Sequence, residues 1–223
     1  MGLRGLLAAA ALGVAACGPA VAAESTFDAP VAERAAREGA GLKTAYFAGG
    51  CFWGVEAVFS HVKGVKSAVS GYHGGNAETA TYTRVSTGAT QHAETVKVVY
   101  DPSVVRYDQL LQVFFSVIAD PTLSNRQGPD VGPQYRTAVI PVNAEQRAVA
   151  SAYLGQMASS GVWSRPIVTE IESPKRFFVA EDYHQDFARK NPGHPYIRRW
   201  DAPKVSALRE KFPSLYSGAF QTG

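Results

Sequence analysis

The most constraining feature of this sequence is a cysteine enclosed by glycines, in the stretch Gly49-Gly50-Cys51-Phe52-Trp53-Gly54. The apolar run from Thr44 to Ala48 before it indicates a strand, and apolar residues at helical spacing follow it. The pattern therefore predicts that Cys51 lies where a strand turns into a helix. Glycines allow a sharp turn, and the free N–H groups at a helix N-terminus favour a thiolate over a thiol. We expect a reactive thiol with a lowered pKa beside an aromatic wall.

A buried structural role is the alternative for Cys51. A free cysteine often behaves as a small buried hydrophobe, and Phe52 and Trp53 at a helix start often pack into a core. Two features favour the reactive role. The flanking glycines remove the bulk expected around a packed cysteine, and the one other cysteine, Cys17, lies in an N-terminal targeting segment. Cys51 is thus the sole free thiol expected in the mature domain.

The amino terminus has the pattern of a secretory signal. Arg4 supplies a positive charge, and residues 6–16 form an apolar run too short to span a bilayer. Val14 to Gly18 resembles a bacterial lipoprotein box, in which Cys17 would carry lipid, whereas Ala20 to Ala22 resembles an ordinary cleavage site. We expect export to the bacterial periplasm or cell envelope, with a lipid anchor on Cys17 as one of two alternatives.

Composition predicts one globular domain. The 223 residues are 46% hydrophobic and 18% charged, which is enough apolar content for a sizeable core. A net charge of +3 gives no reason to expect nucleic acid as a partner, or a membrane other than through a lipid on Cys17. We divide the chain into a signal segment over residues 1–23, a tether over 24–42, a single domain over 43–215 and a tail over 216–223.

Hydrophobic periodicity orders the elements of this domain. After the Cys51 helix, alternation predicts a strand from Val65 that is broken at Gly71, and a second strand from Glu94 to Tyr100. A helix from Tyr107 and a strand over residues 135–142 follow. The order strand, helix, strand, strand, helix, strand predicts an α+β fold with a ferredoxin-like split βαβ core, a two-layer sandwich. Added elements are a helix after residue 143, a strand at 167–171, a helix at 180–190 and a helix at 205–212.

Glu94 is the second candidate for a chemical role. It shares one face of its strand with three apolar residues. It must therefore lie at the strand's open end, pair with another group, or have a shifted pKa. Half-apolar surroundings beside a thiolate raise the pKa of a carboxyl, which favours the protonated form near neutral pH. Cys51 as nucleophile, Glu94 as proton donor, and Phe52 with Trp53 as an apolar methyl slot are what sulfoxide reduction requires.

Other chemistries explain fewer of these candidate residues. The five histidines show no protease spacing, although His73 and His184 could approach the pocket. One thiol with scattered histidines lacks the paired ligand spacing of a zinc site, so no metal is expected. A thiol peroxidase, and a module that binds methionine-containing segments without turnover, are the alternative functions.

The Cys51 stretch, followed by Val55-Glu56, resembles the active-site signature of the A-type peptide methionine sulfoxide reductases. Further stretches resemble the family in the same order along the chain: Thr81-Tyr82, Gln91 to Glu94, Asn125 to Gly128, Asp130 to Arg136, and Ala180 to Gln185. The resemblance implies that the Cys51 thiolate reduces methionine S-sulfoxide, free or in oxidised proteins, and becomes a sulfenic acid. It also implies that no metal or organic cofactor is needed.

The resemblance implies a role for each matching residue. Glu94 corresponds to the acid that protonates the sulfoxide, and Tyr82 and Tyr135 correspond to tyrosines that bind its oxygen. Asp130 lies in the stretch that holds the family's functional aspartate, and His184 lies in the segment that closes the substrate pocket.

Two departures from the family pattern bear on recycling and on the pocket. Many relatives carry resolving cysteines near the carboxyl terminus or at the position of Gly54, whereas this chain has no cysteine after Cys51. We therefore expect an external thiol, from a small molecule or a protein, to reduce the sulfenic acid directly, without an internal disulfide. Phe187 stands where some relatives have tyrosine.

Overall fold

The computed structural model describes residues 26–223, which form a mixed sheet with surrounding helices, an α+β structure. The predicted signal segment and Cys17 lie outside the described residues. The strands are β1 (Lys43–Gly49), β2 (Val65–His73), β3 (Ala93–Tyr100), β4 (Arg126–Gln127), β5 (Asp130–Val131), β6 (Thr137–Ile140), β7 (Glu170–Ile171) and β8 (Phe177–Val179). The α-helices are α1 (Phe52–Ser60), α2 (Tyr82–Val85), α3 (Tyr107–Val113), α4 (Ala144–Ser159), α5 (Phe187–Lys190) and α6 (Ala202–Lys211). Turns of 3-10 helix cover Ala77–Thr79, Pro133–Tyr135 and Asp182–His184, and turns of π-helix cover Phe114–Ile118 and Ile197–Asp201.

Six strands form one sheet in the order β7-β6-β1-β3-β2-β8. Strand β1 pairs antiparallel with β3 and β6, β2 pairs antiparallel with β3 and β8, and β6 pairs parallel with β7. Strands β4 and β5 form a separate hairpin in the long loop after α3. Because side chains alternate along a strand, Ala45 and Phe47 of β1 face the main core, whereas Tyr46 and Ala48 face a smaller cluster on the opposite side.

The main core fixes the end of β1 against α1. The Phe47 ring lies 4.7 Å from the Phe59 ring of α1 and 5.2 Å from the Phe114 ring, and all three side chains are fully buried. Burying a side chain of this size stabilises the fold by about 1.5–3 kcal/mol. The core therefore holds the segments on both sides of Cys51 in place.

Residues 26–42, where a tether is expected, contain no helix and lie along the domain. Ala29 and Ala36 are buried, and the Ala36 N–H donates to Asp108 Oδ1 at 2.8 Å. The Phe27 ring packs against Trp163 with 5.4 Å between centroids. No helix among residues 26–223 has the length and apolar character needed to cross a membrane.

The secondary structure differs from the sequence prediction in three places. Strand β2 continues through Gly71, where a break is predicted, because Gly71 gives room for the unpredicted strand β8: a Cβ there would overlap the Phe177 ring. The predicted helix over 180–190 is interrupted, since Asp186 adopts φ +54° and its N–H donates to Glu56 Oε2 at 3.0 Å. The strand predicted at 167–171 is limited to β7.

Candidate active site

Cys51 lies in the turn between β1 and α1, as predicted. Gly50 adopts φ +86°, a conformation that favours glycine, and a Cβ there would lie 2.6 Å from the Gln127 side chain. Gln127 is buried, and its amide donates to the Asp120 carbonyl at 2.8 Å and to Thr137 Oγ1 at 2.7 Å. The loop that carries Gln127 therefore fixes the turn at Gly50. Cys51 lies half-buried at the N-terminus of α1.

The first N–H groups of α1 reach two candidate residues. The Phe52 N–H donates to Glu94 Oε2 at 3.0 Å, and the Trp53 N–H donates to the Cys51 sulfur. A helix leaves these N–H groups without partners of its own, so they are free to bind acceptors outside it. The Phe52 bond ties the start of β3, which carries Glu94, to the residue next to the thiol.

Glu94 is kept in its acid form near neutral pH. Its side chain is 2% exposed, and burial raises its pKa to about 8. The Phe52 N–H lowers the pKa, whereas Asp130 and Asp201 raise it further. The predicted upward direction is confirmed, because a carboxyl at the core face of a strand loses the water that would stabilise its charge.

The prediction of a lowered pKa for Cys51 is wrong for the substrate-free site. Burial raises the pKa of the Cys51 thiol well above its ordinary value, and the carboxyls of Glu94, Asp201 and Asp130 raise it further. The Trp53 N–H lowers it, but one helix-terminal N–H does not outweigh desolvation and three acidic neighbours. Cys51 is therefore a thiol at neutral pH in the substrate-free site.

Trp53 forms the aromatic wall. Its indole stacks on Phe187 with 3.7 Å between centroids and an interplanar angle of 8°, and the edge of Tyr196 approaches to 5.8 Å. The indole N–H donates to His184 Nδ1 at 3.1 Å. Phe52 is 1% exposed and packs against His184 at 4.9 Å, so it lies deeper than Trp53 and supports the wall from the core.

His184 connects this wall to a tyrosine. Burial lowers the pKa of His184, which keeps the ring neutral and lets Nδ1 accept the indole N–H. The His184 ring also lies 4.5 Å from the Tyr82 ring. His184 thus contacts both the Trp53 indole and the Tyr82 ring. The pocket-closing role that the resemblance implies for its segment stays a prediction.

Tyr82 and Tyr135 are hydroxyl donors near the thiol. Burial raises the pKa of both phenols, and the charges of Glu94 and Cys51 act on each of them. Both hydroxyls therefore keep their protons and can donate to an oxygen atom. The backbone N–H of Tyr82 is anchored on Glu181 Oε1 at 2.9 Å.

Two residues of the site are absent from the sequence prediction. Tyr196 donates its hydroxyl hydrogen to Asp130 Oδ2, which brings the predicted Asp130 to the Trp53 wall. Asp201 is buried behind Gly54 and acts electrostatically on Cys51. Both residues belong to a π-helical region far along the chain, where no motif or simple periodicity identifies them.

His73 belongs to a different cluster. Its Nε2 accepts the Lys175 N–H at 2.9 Å, and its Nδ1 lies 3.2 Å from Glu172 Oε2. Glu172 also accepts from Arg136 Nε at 2.7 Å. Across residues 26–223, no group of three or more His, Cys, Asp or Glu side chains is placed to hold a metal ion.

Known proteins match most of this chain. Residues 43–215 match the family model described as Peptide methionine sulfoxide reductase. Peptide methionine sulfoxide reductase MsrA 2 of Mesorhizobium japonicum is 54% identical over 177 residues, covering 79% of this chain and 91% of that protein. The protein of the same name from Synechocystis sp. is 50% identical over 172 residues, covering 77% of this chain and 80% of that protein.

Two solved structures are also similar. Mxr1 from Saccharomyces cerevisiae in reduced form has a TM-score of 0.59 and 34% identity, covering 69% of this chain and 87% of that one. Methionine sulfoxide reductase A of Corynebacterium diphtheriae has a TM-score of 0.57 and 37% identity, covering 68% of this chain and 76% of that one.

Proposed function

The chain belongs to the peptide methionine sulfoxide reductase family and reduces methionine sulfoxide to methionine, and we propose that Cys51 and Glu94 carry out this reaction. Enzymes of this family are thiol-dependent oxidoreductases that repair oxidised methionine and use thiol reductants rather than a prosthetic group. The observation that carries the proposal is the position of Glu94: a buried carboxyl with a pKa of about 8 held beside the one thiol of the domain.

In the proposed first step, the substrate is the S epimer of methionine sulfoxide. Its methyl group lies against Trp53, and its oxygen accepts hydrogen bonds from Tyr82, Tyr135 and the protonated Glu94. The Cys51 thiolate attacks the sulfoxide sulfur and forms a sulfur–sulfur bond, and Glu94 gives its proton to the oxygen. The resulting hydroxyl group then moves from the substrate sulfur to the Cys51 sulfur as the sulfur–sulfur bond breaks. The products are methionine, reduced by two electrons, and a Cys51 sulfenic acid that has been oxidised by two.

The second half of the cycle uses an external thiol. Two thiol groups reduce the sulfenic acid, release its oxygen as water and become a disulfide, which returns Cys51 to the thiol form. This proposal is supported by the sequence, which has glycine at position 54 and no cysteine after Cys51. The reductant is a small thiol or a reduced protein thiol.

We also infer that the α+β core is of the ferredoxin-like, split βαβ type, a two-layer sandwich. The supporting observation is the strand order β6-β1-β3-β2 at the centre of the sheet, with antiparallel neighbours throughout. Helix α1 connects β1 to β2, and α3 lies on the connection from β3 to β6.

Export to the periplasm or cell envelope is a further proposal. It is supported by the charged start and the apolar run over residues 6–16. Mass analysis of the mature N-terminus tests it: cleavage before a lipid-modified Cys17, or after Ala22, supports export, whereas an intact Met1 contradicts it.

The activity of Cys51→Ser tests the proposed chemistry. Wild-type protein with dithiothreitol should reduce an N-acetylated methionine sulfoxide amide, and Cys51→Ser should not. Cys17→Ser is the matched control, since it removes the other cysteine and should retain activity. Wild-type activity in Cys51→Ser would reject the proposal. Faster turnover of hydrogen peroxide than of sulfoxide by the wild type would favour the peroxidase alternative.

A further inference from the structure

Tyr82 begins a helix that is too short to hold itself in place. Helix α2 has four residues, and its N-cap residue, Thr81, makes no side-chain hydrogen bond to it. A single helical turn is unstable by itself in water, because it fixes several residues for few hydrogen bonds. Val85 is buried in the main core and holds the far end of α2. The start of α2, which carries the Tyr82 ring, therefore needs a partner from elsewhere in the chain.

Glu181 is that partner, although it lies 99 residues further along the chain. Its Oε1 accepts the Tyr82 N–H at 2.9 Å, and the first N–H groups of a helix have no acceptor within the helix. Burial acts to raise the pKa of Glu181, but hydrogen bonds from the Tyr82 N–H and the Tyr72 hydroxyl help to hold the pKa below its ordinary value. The side chain is thus a carboxylate at neutral pH, which accepts a stronger hydrogen bond than a neutral group would.

Glu181 also joins α2 to two other parts of the site. Its Oε2 accepts the hydroxyl hydrogen of Tyr72 in β2 at 2.8 Å. Its backbone carbonyl accepts the His184 N–H at 2.9 Å, because Glu181 is the N-cap residue of the 3-10 turn that carries His184. The His184 ring in turn lies 4.5 Å from the Tyr82 ring. One residue therefore connects the start of α2, strand β2 and the turn that carries His184.

We propose that Glu181 is a positioning residue for sulfoxide reduction: it caps the start of α2 from a distant segment and so holds Tyr82 where its hydroxyl meets the sulfoxide oxygen. This inference rests on the proposed role of the Tyr82 hydroxyl as a donor to that oxygen. A donor that is displaced by about 1 Å loses much of its effect on the transition state. Loss of Glu181 should therefore reduce the rate of oxygen transfer more than the affinity for the substrate.

Tyr72 offers a second route from Glu181 to the site. It pairs with Glu94 across β2 and β3, and its ring lies 5.9 Å from the Phe52 ring. However, Tyr72 is fully buried in a strand of nine residues that pairs on both sides, so the sheet fixes it without help from its hydroxyl. Tyr82 has no such support, which favours the route through α2. Tyr72→Phe removes only the hydroxyl bond and separates the two routes.

A double-mutant cycle between Glu181→Ala and Tyr82→Phe tests the proposal. Single-turnover reduction of an N-acetylated methionine sulfoxide amide, with reduced enzyme in saturating excess, gives the rate of oxygen transfer. We expect Glu181→Ala to lower this rate about tenfold in the wild type, but less than about twofold in Tyr82→Phe, because the hydroxyl to be positioned is then absent. A residue that only stabilised the fold would give the same fold-loss in both backgrounds, and that result would overturn the proposal. A wild-type rate in Tyr82→Phe would also overturn it.

Three single variants complete the experiment. Glu181→Gln keeps an oxygen that can accept the Tyr82 N–H, so its rate should stay within about threefold of the wild-type rate. Asp182→Ala is the matched control, since it removes the carboxylate of the next residue, which is exposed, and should keep the wild-type rate. Tyr72→Phe should lose much less than Glu181→Ala. A Tyr72→Phe variant that reproduced the full loss, or a Glu181→Ala variant with the wild-type rate, would contradict the proposal.

Hydrogen exchange of the Tyr82 N–H, followed by NMR, needs no variant and applies even if Glu181→Ala does not fold. In the wild type this N–H should exchange at least about tenfold more slowly than in an unstructured peptide, and exchange at the unstructured rate would overturn the proposal. The cycle and the exchange rate do not depend on which thiol reacts. Reductase activity in Cys51→Ser would therefore reject the proposed chemistry alone, and equal losses in the cycle would reject the role of Glu181 alone.

Discussion

Replacing Glu94 by glutamine should change the pH dependence of sulfoxide reduction as well as its rate. At pH 7, a carboxyl with the ordinary pKa of 4.5 is about 0.3% protonated, whereas a pKa of about 8 leaves about 90% of Glu94 in the acid form. Burial at the start of β3 therefore supplies roughly 300-fold more of the acid at neutral pH. Glutamine removes this acid while keeping the shape of the side chain.

The pH profile follows from two groups that must be in opposite protonation states. Reaction requires Cys51 as thiolate and Glu94 as acid, and Glu94 ionises at a lower pH than the thiol. In wild type, kcat/KM should rise up to about pH 8, stay level until the thiol ionises, and then fall. In Glu94→Gln, the alkaline fall should disappear. The maximal rate should drop by about 100-fold to 10,000-fold, the usual contribution of a positioned acid, or about 3–5 kcal/mol in the barrier.

Single-turnover kinetics are the appropriate assay, because reduced enzyme in excess over sulfoxide needs no external thiol with a pH dependence of its own. Glu56→Gln is the control: burial raises the pKa of Glu56 to about 8 as well, but Glu56 hydrogen bonds to the Asp186 N–H instead. It should keep the wild-type profile. A wild-type rate that is already level from about pH 5 upward, as an ordinary carboxyl would give, would refute the reasoning.

Three further predictions concern stability. Gly54→Ala places a Cβ against Asp201 and should lower the free energy of unfolding by about 1–3 kcal/mol. Gly155→Ala in α4 has nothing within 4 Å of its new Cβ and should raise the free energy of unfolding by up to about 1 kcal/mol. Equal effects of the two substitutions in urea unfolding would contradict this prediction. Burial alone would raise the pKa of Glu172, but hydrogen bonds from His73 and Arg136 hold it at about 2, so Glu172 stabilises the fold above pH 4.5 and loses this effect as pH falls towards 2. Glu172→Gln should therefore cost about 3 kcal/mol at pH 7 and much less near pH 2, and a cost independent of pH would argue against the ion pair. Because the pKa of Glu56 is raised to about 8, the native state binds more protons than the unfolded state between pH 4.5 and 8, so stability falls as pH rises through this range. Glu56→Gln should reduce the total loss of stability over this range by a few kcal/mol. An unchanged pH dependence of the free energy of unfolding would exclude this role of Glu56.

The part of the site that could be predicted from sequence is the part that local patterns determine. Apolar alternation before Gly49 and helical spacing after Phe52 place Cys51 in a turn between strand and helix, and the structure has that turn. Period-two alternation likewise places Glu94 in line with the core face of β3, where burial raises its pKa. Both inferences need only the residues next to the one in question.

The missing part depends on tertiary packing. Asp201 reaches the first turn of α1 from the far end of the chain, and the sequence around Cys51 contains no sign of its charge. The sequence predicts the thiol pKa in the wrong direction because the helix N-terminus is visible in the sequence, whereas the burial of the thiol, which raises its pKa most, depends on tertiary packing. Tyr196 is not predicted either, since its hydrogen bond to Asp130 joins the short strand β5 to the start of a π-helical turn far along the chain.

Gly71 shows how one residue type permits two interpretations. Glycine in an alternating segment indicates either a break or a close approach of another backbone. The alternating pattern predicts a break, whereas the structure has a close approach, because β8 pairs with β2 here and would clash with any Cβ at Gly71. Only knowledge of the neighbouring strand distinguishes the two.

The most direct test of the central claim is a single-turnover reaction of the reduced Cys17→Ser chain, which retains one thiol, with the two separated epimers of an N-acetylated methionine sulfoxide amide. Intact mass and a sulfenic-acid trapping reagent report on Cys51. We predict that the S epimer alone is converted to the sulfide and that Cys51 gains one oxygen atom as a sulfenic acid, with no disulfide. Sulfide formation that leaves Cys51 as an unmodified thiol, or no reaction with either epimer, would contradict the single-thiol mechanism.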